Sequence, residues 1–139
     1  MRTTHLHDSA PSRDPTMMHF MKPAMIILLC ALSAASPALA EAPRIEGATA
    51  HQNGSSWTIS VTLSHADTGW EHYADGWRVL DENGRELGLR VLAHPHVNEQ
   101  PFTRSLSGIA IPEGTRHVSL QARCIVDGWS DESFRLTLP

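Results

Sequence analysis

The sequence predicts an all-β fold, a seven-stranded antiparallel sandwich behind a cleaved leader. Three observations predict it. Thr58, Ser60, Thr62 and Ser64 alternate with Trp57, Ile59, Val61 and Leu63, the period-2 pattern of a strand with one buried face. Shorter alternations of the same kind recur through residues 43–138, separated by turn residues, with no stretch of convincing helical period. An apolar run ends at Ala38-Leu39-Ala40, and the strand-and-turn pattern begins only after it. Seven short strands in about 100 residues are the signature of an antiparallel sandwich.

The leader comes first in the chain. Lys22 supplies a positive segment, residues 24–35 an apolar one, and Pro37 breaks it. Ala38 and Ala40 are the small residues that a signal peptidase needs at −3 and −1. Residues 1–40 are therefore read as leader and signal peptide, with a mature N-terminus at Glu41 and a periplasmic or secreted protein. Cys30 is a poor lipidation site, because Leu29 stands where a small residue is expected. No apolar stretch after Ala40 approaches the ~20 residues of a membrane-spanning helix, so no membrane insertion is expected after cleavage.

Residues 41–139 make one domain. They hold eight Arg, no Lys and thirteen Asp plus Glu, a formal charge of −5. Nucleic acids and anionic membranes require clustered cations, so neither is an expected partner. Cys124 is the single cysteine after residue 40, so the core must hold without an internal disulfide.

The strands are expected at 43–51 (A), 56–64 (B), 76–81 (C), 86–94 (D), 102–111 (E), 116–126 (F) and 132–138 (G). On F, Val118, Leu120, Ala122, Cys124 and Val126 share one face. On G, Phe134, Leu136 and Leu138 face inward. If consecutive strands are antiparallel, the A–B, C–D and E–F connections lie at one end. They read Gln52-Asn53-Gly54-Ser55, Asp81-Glu82-Asn83-Gly84-Arg85 and Pro112-Glu113-Gly114-Thr115, each a plain glycine turn. The B–C (65–75), D–E (94–101) and F–G (127–131) connections lie at the other end. They carry histidine, tryptophan and acid that turn chemistry does not require. A rigid scaffold with decorated loops at one end is how a sandwich hosts a binding site.

In strand count and spacing, residues 43–138 resemble the immunoglobulin and fibronectin type III sandwiches. The Cys…Trp…Cys signature of true immunoglobulin domains is absent. The segments Trp70-Glu-His-Tyr-Ala-Asp-Gly-Trp77 and His94-Pro-His-Val-Asn-Glu-Gln-Pro-Phe-Thr-Arg104 resemble those of small exported proteins of Gram-negative bacteria. That resemblance implies a periplasmic domain and carries no activity with it.

His94-Pro95-His96 is the sharpest local feature. Two imidazoles two residues apart on extended chain point to one side, and Pro95 stiffens the spacing. With His72 from the B–C loop, or a carboxylate of the F–G connection, as a third donor they form a candidate ligand set for Zn²⁺ or Cu²⁺. Blue-copper chemistry is not expected, because no Met follows residue 25 and no His follows Cys124. Cys124 is read as a buried small hydrophobe on the inward face of F. Arg104 alternates in phase with Phe102 and Leu106. A buried guanidinium needs an acid, and Glu71, Asp75 or Glu99 could supply it. Trp70 and Trp129 are candidate stacking surfaces, whereas Trp77 belongs to the core.

Nothing in the sequence points to an enzyme: it has no Gly-x-Ser-x-Gly, no His-Glu-x-x-His and no phosphate-binding glycine loop. The expected role is a non-catalytic binding or interaction module for a protein or small molecule. Its binding residues would be Trp70, Glu71, His72, Glu99, Arg104 and Trp129. The alternative is a small metal-binding protein that uses His72, His94 and His96. The sequence names no other cofactor.

Overall fold

A computed structural model describes residues 41–139. The expectations about the leader and Cys30 lie outside the described residues. Eight strands follow one another: β1 (Arg44–Asn53), β2 (Ser56–Ser64), β3 (Ala74–Leu80), β4 (Glu86–Val91), β5 (Phe102–Ile109), β6 (His117–Cys124), β7 (Gly128–Trp129) and β8 (Phe134–Thr137). All the pairings are antiparallel. One sheet has the order β1-β2-β5. The other has the order β4-β3-β6-β7, and β8 pairs with the opposite half of β6's free edge.

The fold is thus an open two-sheet β-sandwich, as the alternation predicts, with differences at strand ends. The expected G is β8, and the eighth strand, β7, lies within the expected F–G connection. β7 folds back directly from β6, with Cys124 opposite Gly128 and Arg123 opposite Trp129. The chain then leaves the edge and returns as β8 beside His117–Leu120. F ends at Cys124, so Val126 lies in the turn and is exposed rather than inward. D ends at Val91, which leaves 92–101 as loop.

The core fills the space between the sheets. Ile59, Val61 and Leu63 of β2 meet Trp77 and Val79 of β3 and Val118 and Leu120 of β6, all of them fully buried. The alternation in β2 decides which face goes in. Its outward residues form a ladder with β5: Thr58 with Ser107 at 3.0 Å, Ser60 with Ser105 at 2.7 Å and Thr62 with Thr103 at 2.7 Å. Cross-strand hydroxyl pairs of this kind help hold register.

The long connections converge at one end. The His65 amide donates to Gln100 Oε1 at 3.0 Å, which ties B–C to D–E. His72 Nε2 lies 3.8 Å from Asp127 Oδ2, which brings F–G to the same place. A groove of about 640 Å³ between the C–D and E–F turns marks the other end.

Candidate metal centre

The inward phase of β2 continues past its last paired residue. Trp57, Ile59, Val61 and Leu63 are buried, and so are His65 and Asp67, at the same two-residue spacing. Polar groups in a core position need partners. Asp67 Oδ1 accepts from the Ala74 amide at 2.9 Å and lies 2.6 Å from His65 Nδ1. Its Oδ2 accepts from the His96 amide at 2.7 Å. One carboxylate with no side-chain exposure therefore joins the end of β2, the start of β3 and the D–E loop.

The contact with Asp67 leaves Nε2 of His65 as its free nitrogen. That atom is buried and has no hydrogen-bond partner, and the same holds for Nε2 of His72. The local chain positions His72. Thr68 N donates to His72 O at 2.9 Å and His72 N to Gly69 O at 3.1 Å, closing a tight turn with Trp70 and Glu71 at its tip. Gly69 has φ 144°, a conformation open to glycine and rare for other residues. The turn sends Trp70 and Glu71 to solvent and folds His72 back against His65, with ring centroids 4.8 Å apart.

Cys124, at the end of β6, completes the cluster. One ligand atom each from His65, His72 and Cys124 lie within 4.8 Å of one another. Among the described residues no other group of three or more His, Cys, Asp or Glu side chains converges in this way. Two imidazoles and a thiol suit zinc and copper. The Asp67–His65 contact is the carboxylate–histidine arrangement that fixes the tautomer and the orientation of a ligating imidazole.

The sequence-predicted residues divide. His72 is in the cluster, but His94 and His96 are not. The His94 and His96 rings do approach, with centroids 4.5 Å apart, yet no third donor joins them. The reason is local. With β4 ended at Val91, the segment is loop rather than strand. His96 turns inward to stack on Phe102 at 3.8 Å and 8°, while His94 stays exposed beside the Pro95 carbonyl. Burial, then the charges of Arg104 and His94, hold the His96 imidazole below its ordinary pKa.

Arg104 pairs with Glu99 at 3.1 Å and also donates to the Thr103 carbonyl. Its side chain is 28% exposed, so the expected buried cation is a partly solvated one on an edge strand. Asp75 is taken by Arg123 instead, at 2.9 Å. Trp129 is not a free platform. Pairing in β7 lays its ring against the guanidinium groups of Arg78, 4.0 Å from the centroid, and Arg123, 5.0 Å. Trp70 is 65% exposed, with its edge against Tyr73. Cys124 is buried as expected, but its neighbours are the two histidines as well as the core.

No family model matches the chain, and no solved structure matches it. A protein named "Putative lipoprotein" from Halomicrobium mukohataei is 37% identical over 95 residues, which is 68% of this chain and 46% of that protein. The chain thus spans about half the length of that relative. The relative is from a haloarchaeon and not, as the sequence led us to expect, from a Gram-negative bacterium.

Proposed function

We propose that the protein is an extracytoplasmic, non-catalytic binding domain whose ligand is a transition-metal ion held by His65, His72 and Cys124. One observation carries the reading: His65 and His72, each with a buried imidazole nitrogen that lacks a partner, bring ligand atoms within 4.8 Å of each other and of the buried Cys124, and a carboxylate orients one of the rings. Left empty, such a site keeps polar atoms away from water without compensation, a cost an ion would remove. This replaces the ligand set expected from the His94-Pro95-His96 spacing with one that shares only His72. The Ala38-Leu39-Ala40 junction and a relative named as a lipoprotein support an address outside the cytoplasm. The placement of β4 beside β3, rather than beside β5, favours the fibronectin type III-like arrangement over the constant immunoglobulin one.

The test is metal titration of the mature protein, prepared without a histidine tag and stripped of metal. One equivalent of Zn²⁺ should bind. Cys124→Ser and His65→Ala should each weaken binding by at least about tenfold, as even outer-shell changes do at metal sites. The double variant His94→Ala, His96→Ala should bind like the parent. Binding lost only in that double variant would return the site to the D–E loop. Absence of stoichiometric binding would reject a metal ligand altogether.

A further inference from the structure

Three protein donors leave a zinc site open, and structural zinc is four-coordinate. The chain after Cys124 is built to supply the fourth donor. Ile125, Val126 and Asp127 form a three-residue connection between Cys124 and Gly128, closed by Gly128 at φ 78°. This is the hairpin geometry that places a left-handed glycine after the turn. One of its amides meets the sulfur: Val126 N donates to Cys124 Sγ at 3.4 Å. The same turn holds Asp127 Oδ2 3.8 Å from His72 Nε2, one of the two unpartnered imidazole nitrogens of the cluster.

That separation is close to what ligation demands. Bonds of about 2.0–2.1 Å at tetrahedral angles set neighbouring oxygen and nitrogen donors roughly 3.3–3.4 Å apart. Asp127 Oδ2 has to close on His72 Nε2 by about half an ångström and to swing further toward His65 and Cys124, because it lies outside the group whose ligand atoms fall within 4.8 Å of one another, and its exposed turn leaves room for that movement. The charges also agree. A Zn²⁺ ion, one thiolate, one carboxylate and two neutral imidazoles sum to zero, which suits a buried site. The Asp67 carboxylate stays outside that sum, its oxygens already accepting hydrogen bonds from the amides of Ala74 and His96 and contacting His65 Nδ1.

We propose that Asp127 is the fourth ligand of a closed, tetrahedral Zn²⁺ site, and that the bound ion fastens the 125–128 turn to the B–C loop. The proposal rests on the reading that His65, His72 and Cys124 bind metal. Its consequence reaches past the site. Trp70 stands at the tip of the B–C turn, and Ile125 and Val126 on the F–G turn, all three exposed. The ion therefore fixes the relative positions of the apolar side chains that this end of the domain presents. The Ile125 amide already donates to the Tyr73 carbonyl at 3.1 Å, and metal occupancy adds a second tie between the same two connections.

Cobalt substitution and hydrogen exchange on the mature protein provide the test. In the parent, Co²⁺ should give a thiolate-to-cobalt charge-transfer band together with intense tetrahedral ligand-field bands. Zn²⁺ should slow amide exchange in residues 125–128. Asp127→Ala should keep the charge-transfer band, alter the ligand-field bands, bind Zn²⁺ at least about tenfold more weakly, and lose the metal-dependent protection of the turn. An Asp127→Ala protein with the parent's spectrum, affinity and exchange pattern would overturn the role of Asp127 while leaving the three-ligand site intact. A parent without a charge-transfer band would overturn the three-ligand reading itself. Cys124→Ser, which should lack the band in either case, is the control that assigns it.

Discussion

Replacing Asp67 with alanine removes the group on which the loop end depends. Three N–H donors lose their acceptor: the His65 ring at 2.6 Å, the Ala74 amide at 2.9 Å and the His96 amide at 2.7 Å. A hydrogen bond to a charged acceptor contributes about 1.5–3 kcal/mol, and a buried donor left unpaired costs a similar amount. Against this, the variant no longer buries a carboxylate, a relief of several kcal/mol. The net expected loss is about 3–5 kcal/mol, the range seen when one partner of a buried charged contact is removed. For a domain of this size, that lowers the thermal midpoint by roughly 15–30 °C. The assay is urea and thermal unfolding of the metal-free mature protein at pH 7. Asp67→Asn keeps the shape and one acceptor, so it should fall between the parent and Asp67→Ala. A loss below about 1 kcal/mol in Asp67→Ala would refute the reasoning. It would mean that water replaces the carboxylate and that the three connections are held by something else.

Two further outcomes follow from neighbouring contacts. Arg104→Leu should cost only about 0–1 kcal/mol, because the Arg104–Glu99 pair is partly solvated on both sides. A loss of 3 kcal/mol or more in denaturant would restore the buried-cation reading that strand phase predicts. His96, held below its ordinary pKa of 6.5, stays neutral in the folded state where the unfolded chain takes up a proton. Stability from this residue is thus complete above about pH 6.5 and is lost as pH falls through the lower folded value. His96→Phe, which can keep the stack on Phe102, should narrow the difference in unfolding midpoint between pH 7 and pH 5. An unchanged difference would show that His96 titrates alike in both states.

Most of the fold is legible in the sequence, because one face of each sheet is buried and the other is wet. β2 begins and ends where its alternation does, at Ser56 and Ser64. The errors fall where periodicity stops carrying information. On F the alternation of apolar residues runs on through Val126, and nothing in the pattern shows that the chain reverses at Ile125. The signal was in the turn chemistry: Gly128 three residues beyond the turn's start marks a tight hairpin. D fails in the same way, since Leu92 is buried beyond the last strand residue and extends the apparent pattern into loop.

The site was legible in the same parity that defines the core. His65 and Asp67 occupy the inward phase of β2, two and four residues beyond Leu63, and an inward histidine followed by an inward acid is a costly pattern unless the two are partnered. Cys124 occupies the inward phase of β6 and was rightly placed in the core. Cys124 at the end of β6 and His65 just past the end of β2 face the core from opposite sheets, and the structure brings their ligand atoms within 4.8 Å. The His94-Pro95-His96 spacing drew attention instead because it is local, and a motif of adjacent residues is easier to see than one assembled from β2, the B–C loop and β6. What no pattern could supply was the fold of the 68–72 turn. Its backbone bonds alone decide that His72 faces inward while Trp70 and Glu71 face out. A three-donor site therefore needs two kinds of information: strand phase, which is written in the sequence, and loop conformation, which is settled only when Asp67 has gathered the loops around it.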